Sequence, residues 1–172
     1  MPLLLLLALY PLRSWRDAPL FPTPRDALTG LAKAVALPPG VRILDAGCGL
    51  GDGLLALRSE FPSAHIGGLE WSFLLRLLCA ARCRLAGAKV EVERGDIWAA
   101  DWSPYDMVYL FQRPESMARA MDKALSEMRP GAWLVSLEFE VVGRAATSRL
   151  EAHAGKPLWL YRLPLKSSGK RP

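Results

Sequence analysis

Seven residues, Asp45-Ala46-Gly47-Cys48-Gly49-Leu50-Gly51, combine what ligand chemistry needs: a carboxylate and a backbone that a ligand can approach. Gly47, Gly49, Gly51 and Gly53 recur at every second position. Glycine has no Cβ and accepts positive φ, so such a loop can turn sharply and expose its amides. Asp45, just ahead of it, can accept from an ammonium group and would repel a diphosphate. The dinucleotide fingerprint G-x-G-x-x-G is broken, because the sixth place counted from Gly47 is Asp52. The Gly-Lys-Ser/Thr ending of a phosphate-cradling P-loop is absent. Small Cys48 fits inside the loop.

Further candidates follow at the ends of later apolar runs. Glu70 lies about 20 residues after the loop, where nucleotide-binding α/β folds hold ribose hydroxyls; its two oxygens can take two vicinal hydroxyls. Trp71 offers an aromatic flank, or is a half-buried ring beside the sheet. Asp96 can accept from an exocyclic amine while Ile97 or Trp98 lines a ring; alternatively Asp96 is a turn residue after Gly95. Tyr109 and Phe111 can face a positive charge, Gln112 can orient an amine through its carbonyl oxygen, and Glu115 can take a proton. The plainer readings are that Tyr109 is core and that Glu115 caps the next helix.

These residues need elements to hold them. Val41–Leu44 reads as a short buried strand and Leu54–Leu57 as the start of a helix, so strand, glycine loop and helix open an α/β unit. Further strands are expected at 64–70, 89–93, 105–111 and 132–138, with helices at 72–85 and 117–128. An earlier helix is expected to start near Thr23 or Asp26 and to end near Leu37, before Pro38-Pro39-Gly40. Residues 147–153 and 157–163 read as a closing hairpin. The predicted fold is α/β, Rossmann-like and doubly wound, a mostly parallel seven-strand sheet with a closing C-terminal β-hairpin.

The 172 residues suit one domain, expected over 19–163. Residues 1–18 form an apolar and basic segment, read as part of a membrane anchor, an interfacial anchor or a strip that packs on the domain; residues 164–172 read as a disordered basic tail. Leu3–Leu9 is far short of the ~20 apolar residues that span a bilayer. The net charge of +5 is a modest basic excess, better read as solvated surface than as a nucleic-acid footprint, with contact to an anionic membrane between the two. Three cysteines make no disulfide framework and point to a reducing compartment. Cys79 and Cys83 share a helix face but lack partners for a metal, so no metal site is expected.

The acid followed by G-x-G-x-G resembles motif I of the class I S-adenosylmethionine-dependent methyltransferases. Joined together, APLFPTP, RILDAGCGLGDG, GGLEWS, GDIW, YLFQRPESM and KPLWLYRLP look like the small membrane-associated protein-lysine methyltransferases, relatives of those that modify the ATP synthase c subunit and the adenine nucleotide translocase. The likeness covers residues 19–163. The chain departs from that family at Leu50, where an Asp would stand, and at Trp71-Ser72, in place of an Asn-Pro type pair. The resemblance implies S-adenosyl-L-methionine as cofactor. It would be held by Asp45, Gly47, Cys48, Gly49, Gly51, Glu70, Trp71, Asp96, Ile97 and Phe111, with Tyr109, Gln112 and Glu115 as catalytic candidates. It further implies a protein-lysine acceptor, on a membrane protein rather than on a nucleic acid. The chain is expected to be a cytoplasmic monomer, with peripheral contact at the inner face of the membrane. A nicotinamide-dependent oxidoreductase and a non-catalytic membrane-associated adaptor are the alternatives.

Overall fold

One sheet divides the apolar residues into two cores. In the computed structural model, which describes residues 22–151 and 155–164, seven strands run in the order β3-β2-β1-β4-β5-β7-β6. They are β1 (Arg42–Ala46), β2 (His65–Glu70), β3 (Glu91–Arg94), β4 (Met107–Leu110), β5 (Trp133–Leu137), β6 (Ser148–Glu151) and β7 (Pro157–Arg162). The first five pair in parallel, with Ile43 opposite Ile66 and Met107, and Tyr109 opposite Val135. β7 enters antiparallel between β5 and β6, which completes the expected mostly parallel sheet and its hairpin. The central strands are buried on both faces, so β4 and β5 are buried at every position rather than at alternate ones, with Ser136 the one polar member of β5.

The helices are α1 (Leu31–Val35), α2 (Asp52–Glu60), α3 (Phe73–Leu85) and α4 (Pro114–Glu127). Leu54, Leu57, Cys79, Cys83, Ile43 and Tyr109 share one core with α1. Leu44, Val108, Leu110, Leu134, Met117 and Met121 share the other, on the α4 side. Parallel strands need crossover helices, and these place the carboxyl ends of β1, β2 and β4 along one edge, where ligands bind in open α/β sheets.

The structure corrects several expected boundaries. The helix expected from Thr23 or Asp26 to about Leu37 is instead a run of turns over 25–30 followed by the single turn and a half of α1. Gly30 and Ala36 both adopt left-handed φ, at 85° and 46°, which breaks the helix at each end. Thr23 caps nothing there, because its hydroxyl bonds that of Tyr109 at 2.9 Å. β3 begins at Glu91, two residues late, after a turn in which Val90 N–H donates to Ala88 O. α4 begins three residues early: Pro114 takes its first turn, where no N–H is needed. The expectations for residues 1–18, for the tail beyond Pro164 and for 152–154 of the hairpin lie outside the described residues.

Candidate cofactor site

The glycine loop is fastened to the end of β2. Gly47 N–H and Cys48 N–H both donate to Leu69 O, at 3.0 and 2.9 Å. Gly49 N–H donates to Glu70 Oε2 at 3.0 Å, and Ser72 N–H donates to Glu70 Oε1 at 2.8 Å. Glu70 is thus buried as a clamp between the loop and the start of α3, and burial, against those amide bonds, pushes its carboxyl upward. Gly47, at φ 93°, must be glycine on two counts, since a Cβ would also lie 2.5 Å from Gln112 Nε2. At Gly51, φ 89°, a Cβ would lie 2.9 Å from Cys79 Sγ and 3.0 Å from Cys83 Sγ.

Asp45 is the electrostatic centre. It is 3% exposed, and its Oδ2 has no hydrogen-bond partner among the described residues. A Cβ at Gly53 would collide with that oxygen, so the glycine leaves it open on the side of α2. Burial first, then the nearby Glu70 charge, push the Asp45 carboxyl up to about 8. Three thiols lie beneath the loop. Cys48 and Cys79 sit 3.9 Å apart, and Cys83 is one turn from Cys79; all three are buried. Their mutual contacts and burial hold the Cys79 and Cys83 thiols well above their usual range, as uncharged packing groups. No group of three or more potential ligands able to hold a metal occurs among the described residues.

The other candidates divide by where the sheet puts them. Trp71 is half exposed beside Glu70, and its carbonyl accepts from Arg94 Nε. Asp96 Oδ1 accepts from Trp98 N–H at 2.9 Å, so Asp96 shapes the turn after β3. Ile97 and Trp98 pack against the second core, with the Arg119 guanidinium 4.2 Å above the Trp98 ring. At the end of β4, Gln112 is buried and donates to Ala46 O at 3.3 Å, so its amide lies across the glycine loop. Tyr109 is 1% exposed, beside Asp45, with its hydroxyl on Thr23. That position is in the core. Glu115 is exposed in the first turn of α4, favourable for the helix dipole.

Around Phe111, three residues not singled out from the sequence, Phe139, Glu138 and Lys156, form a mouth at the ends of β4 and β5. Phe111 lies 6.5 Å from Phe139, centroid to centroid, and the Lys156 ammonium sits 5.1 Å over the Phe111 ring. Lys156 also pairs with Glu138, whose backbone holds a left-handed φ of 71° and whose carbonyl accepts from Trp159 Nε1. Glu138 was visible only as the end of an apolar run. Its role depends on β7 returning beside β5, a contact between residues some 20 apart that no local pattern announces.

Comparison with known proteins agrees with this geometry. The family model described as ANTKMT methyltransferase domain matches residues 45–148, more than half of the chain. A trans-aconitate 2-methyltransferase of Variovorax paradoxus is 34% identical over 79 residues, which are 46% of this chain and only 30% of that protein. An RNA methyltransferase from Salinibacter ruber, solved with S-adenosyl-L-homocysteine, superposes with a TM-score of 0.75 at 21% identity, over 88% of this chain and 98% of that one. A methyltransferase from Geobacter sulfurreducens, solved with the same ligand, gives 0.56 at 23% identity, over 68% and 49%. Such identities speak for the fold alone. The chain belongs to the ANTKMT methyltransferase domain family, on the class I fold of S-adenosylmethionine-dependent methyltransferases.

Proposed function

We propose that the chain transfers a methyl group from S-adenosylmethionine to the side-chain nitrogen of a protein lysine. The residues present fit the cofactor. Asp45 Oδ2 is a buried acceptor without a donor, which suits an ammonium. The glycine loop presents its backbone beside it, and the Glu70 oxygens keep free lone pairs after accepting from the backbone amides around them. Trp71 flanks that carboxylate on the open side. When bound, the cofactor supplies a methyl group on a positively charged sulfur, already activated for transfer. The protein is then left with positioning, exclusion of water and handling of one proton.

The observation that carries the lysine reading is the mouth at β4 and β5. There the Phe111 ring and the Glu138 carboxylate already accommodate a lysine ammonium, that of Lys156. An aromatic face and a carboxylate stabilise an amine while it is still charged. An acceptor lysine must lose a proton before it can attack, since its ordinary pKa is about 10.4. Glu138 beside the Phe111 ring, or Glu115 at the head of α4, takes that proton. Gln112 acts one step back, by holding the loop through Ala46 O.

The test has two stages. Calorimetry with S-adenosylmethionine, S-adenosylhomocysteine and NADH should show binding of the two sulfur ligands and none of NADH. Incubation with labelled methyl donor and total protein, followed by acid hydrolysis, should then give methylated lysine. Label released as methanol by mild base before hydrolysis, or transferred to RNA offered in a parallel incubation in place of protein, would overturn the lysine acceptor. Cofactor binding without transfer to any acceptor would establish the adaptor reading instead.

A further inference from the structure

Six large apolar side chains are conspicuously exposed among the described residues, and five belong to α3 and its lead-in. Trp71 is 48% exposed, Phe73 56%, Leu77 40%, Leu78 44% and Leu85 90%. A surface helix ordinarily turns its apolar stripe inward. Here Leu75, Cys79 and Cys83 supply an inner stripe, and a second apolar stripe faces out. Patches of this kind mark interaction surfaces.

Charge on the same side says what kind. α3 contains Arg76, Arg82 and Arg84 and no acidic residue. Arg82 is committed to Asp52 and Leu50 O, which ties the helix to the glycine loop. Arg94 joins the patch through its contact with the Trp71 carbonyl. The acids of β3 alternate to the other face: Glu93 lies in register with Leu69 of the second core, whereas Val92 packs with Cys79 and Cys83 in the first. Past the carboxyl end of α3, a groove of about 460 Å³ is lined by Arg42, Arg58, His65 and Lys89, with Glu91 its one acid. Apolar side chains bordered by arginines, on a helix that carries no acid of its own, match a helix that lies in a lipid–water boundary. A second copy pairing through this face about a two-fold axis would bring arginines against arginines. Nucleic acid would use the cations but has no need of four exposed aliphatic and aromatic side chains beside Trp71.

We propose that the outward face of α3 docks the protein on an anionic lipid surface, with Phe73, Leu77, Leu78 and Leu85 entering the acyl boundary and Arg76, Arg84 and Arg94 meeting headgroups. The amino end of α3 adjoins Glu70, so a docked molecule carries the mouth of the cofactor crevice at the level of the headgroups. The proposal does not depend on the lysine acceptor.

The test is flotation of the full chain with phosphatidylcholine vesicles, with and without about one third phosphatidylglycerol. The unaltered chain should bind the anionic vesicles, and added salt should weaken binding. Phe73→Ser combined with Leu77→Ser, and separately Arg84→Glu, should each lower the partition coefficient about tenfold or more. S-adenosylhomocysteine affinity and circular dichroism should stay as in the unaltered chain, which separates loss of docking from loss of fold or cofactor. A parallel full-length variant, Leu4→Ser with Leu6→Ser, separates α3 from the apolar amino-terminal run. Vesicle binding unchanged in the α3 variants overturns the proposal, as does loss confined to the amino-terminal variant. So does a shift of oligomeric state, or of RNA binding, in place of vesicle binding.

Discussion

Asp45 puts one residue's protonation in control of two properties. Its carboxyl ionises at about 8 in the fold, against about 3.9 in an unfolded chain. Between those values the folded protein holds a proton that the unfolded chain has released. Stability is therefore greatest below pH 4 as far as this group is concerned, and falls as pH rises toward 8, by at most about 1.4 kcal/mol per pH unit. Asp45→Asn should raise the melting temperature at pH 8 relative to the unaltered chain, and thermal melts across pH 5–9 should show the dependence flattened. Cofactor affinity runs the other way. Accepting from an ammonium requires the ionised carboxylate, so S-adenosylhomocysteine should bind more tightly as pH rises to about 8, with release of a proton. Calorimetry in two buffers of different ionisation heat would detect that proton, and Asp45→Asn should abolish it together with most of the affinity. Tyr109→Phe tests a different assignment: loss of the bond to Thr23 should cost about 1 kcal/mol in denaturant melts and leave methyl transfer nearly unchanged, whereas a collapse in turnover at unchanged cofactor affinity would return Tyr109 to the chemistry.

At the scale of elements, the loop and α3 act as one unit. Gly51 rests on Cys79 and Cys83, Arg82 reaches back to Leu50 O, and Glu70 spans Gly49 and Ser72. Gly51→Ala should therefore be costly twice over, through a left-handed φ and through the two thiols. A loss of about 2–3 kcal/mol in denaturant melts, with weaker cofactor binding, is expected. The legibility of these pieces follows their physics. Asp45, the glycines and Glu70 could be read because their chemistry is local: acid, turn and apolar run lie within a few residues of each other. The shared face of Cys79 and Cys83 on α3 was readable from spacing for the same reason, whereas Ser72, expected as the first residue of that helix, is its N-cap. What could not be read was partnership. Gln112 was read for its carbonyl oxygen, whereas the tie of its amide donor to Ala46 O joins residues 66 apart and has no local signal. Thr23 looked like a helix cap, but is bound to a tyrosine 86 residues away. Phe139, Glu138 and Lys156 were unremarkable until β5 and β7 were side by side.

The whole sheet depends on β7, a strand made after both of its neighbours. The family match ends at residue 148, yet β7, Pro157–Arg162, lies inside the sheet with Leu158 and Leu160 fully buried. Leu160 pairs with Val135 on one side and Ser148 on the other. Leu160→Ala should cost about 2–5 kcal/mol, measurable by urea melts, although it lies outside the matched residues. No helix among the described residues is long and apolar enough to cross a membrane. Inserting β7 between β5 and β6 also has a consequence for synthesis. β5 and β6 leave the ribosome before the strand that joins them, so for that interval the fully buried edge of β5 has no partner. A newly made chain would carry an open, apolar strand edge while the residues from β6 to β7 are being added, and would be most vulnerable to aggregation, or most in need of a chaperone, until Arg162 clears the exit tunnel.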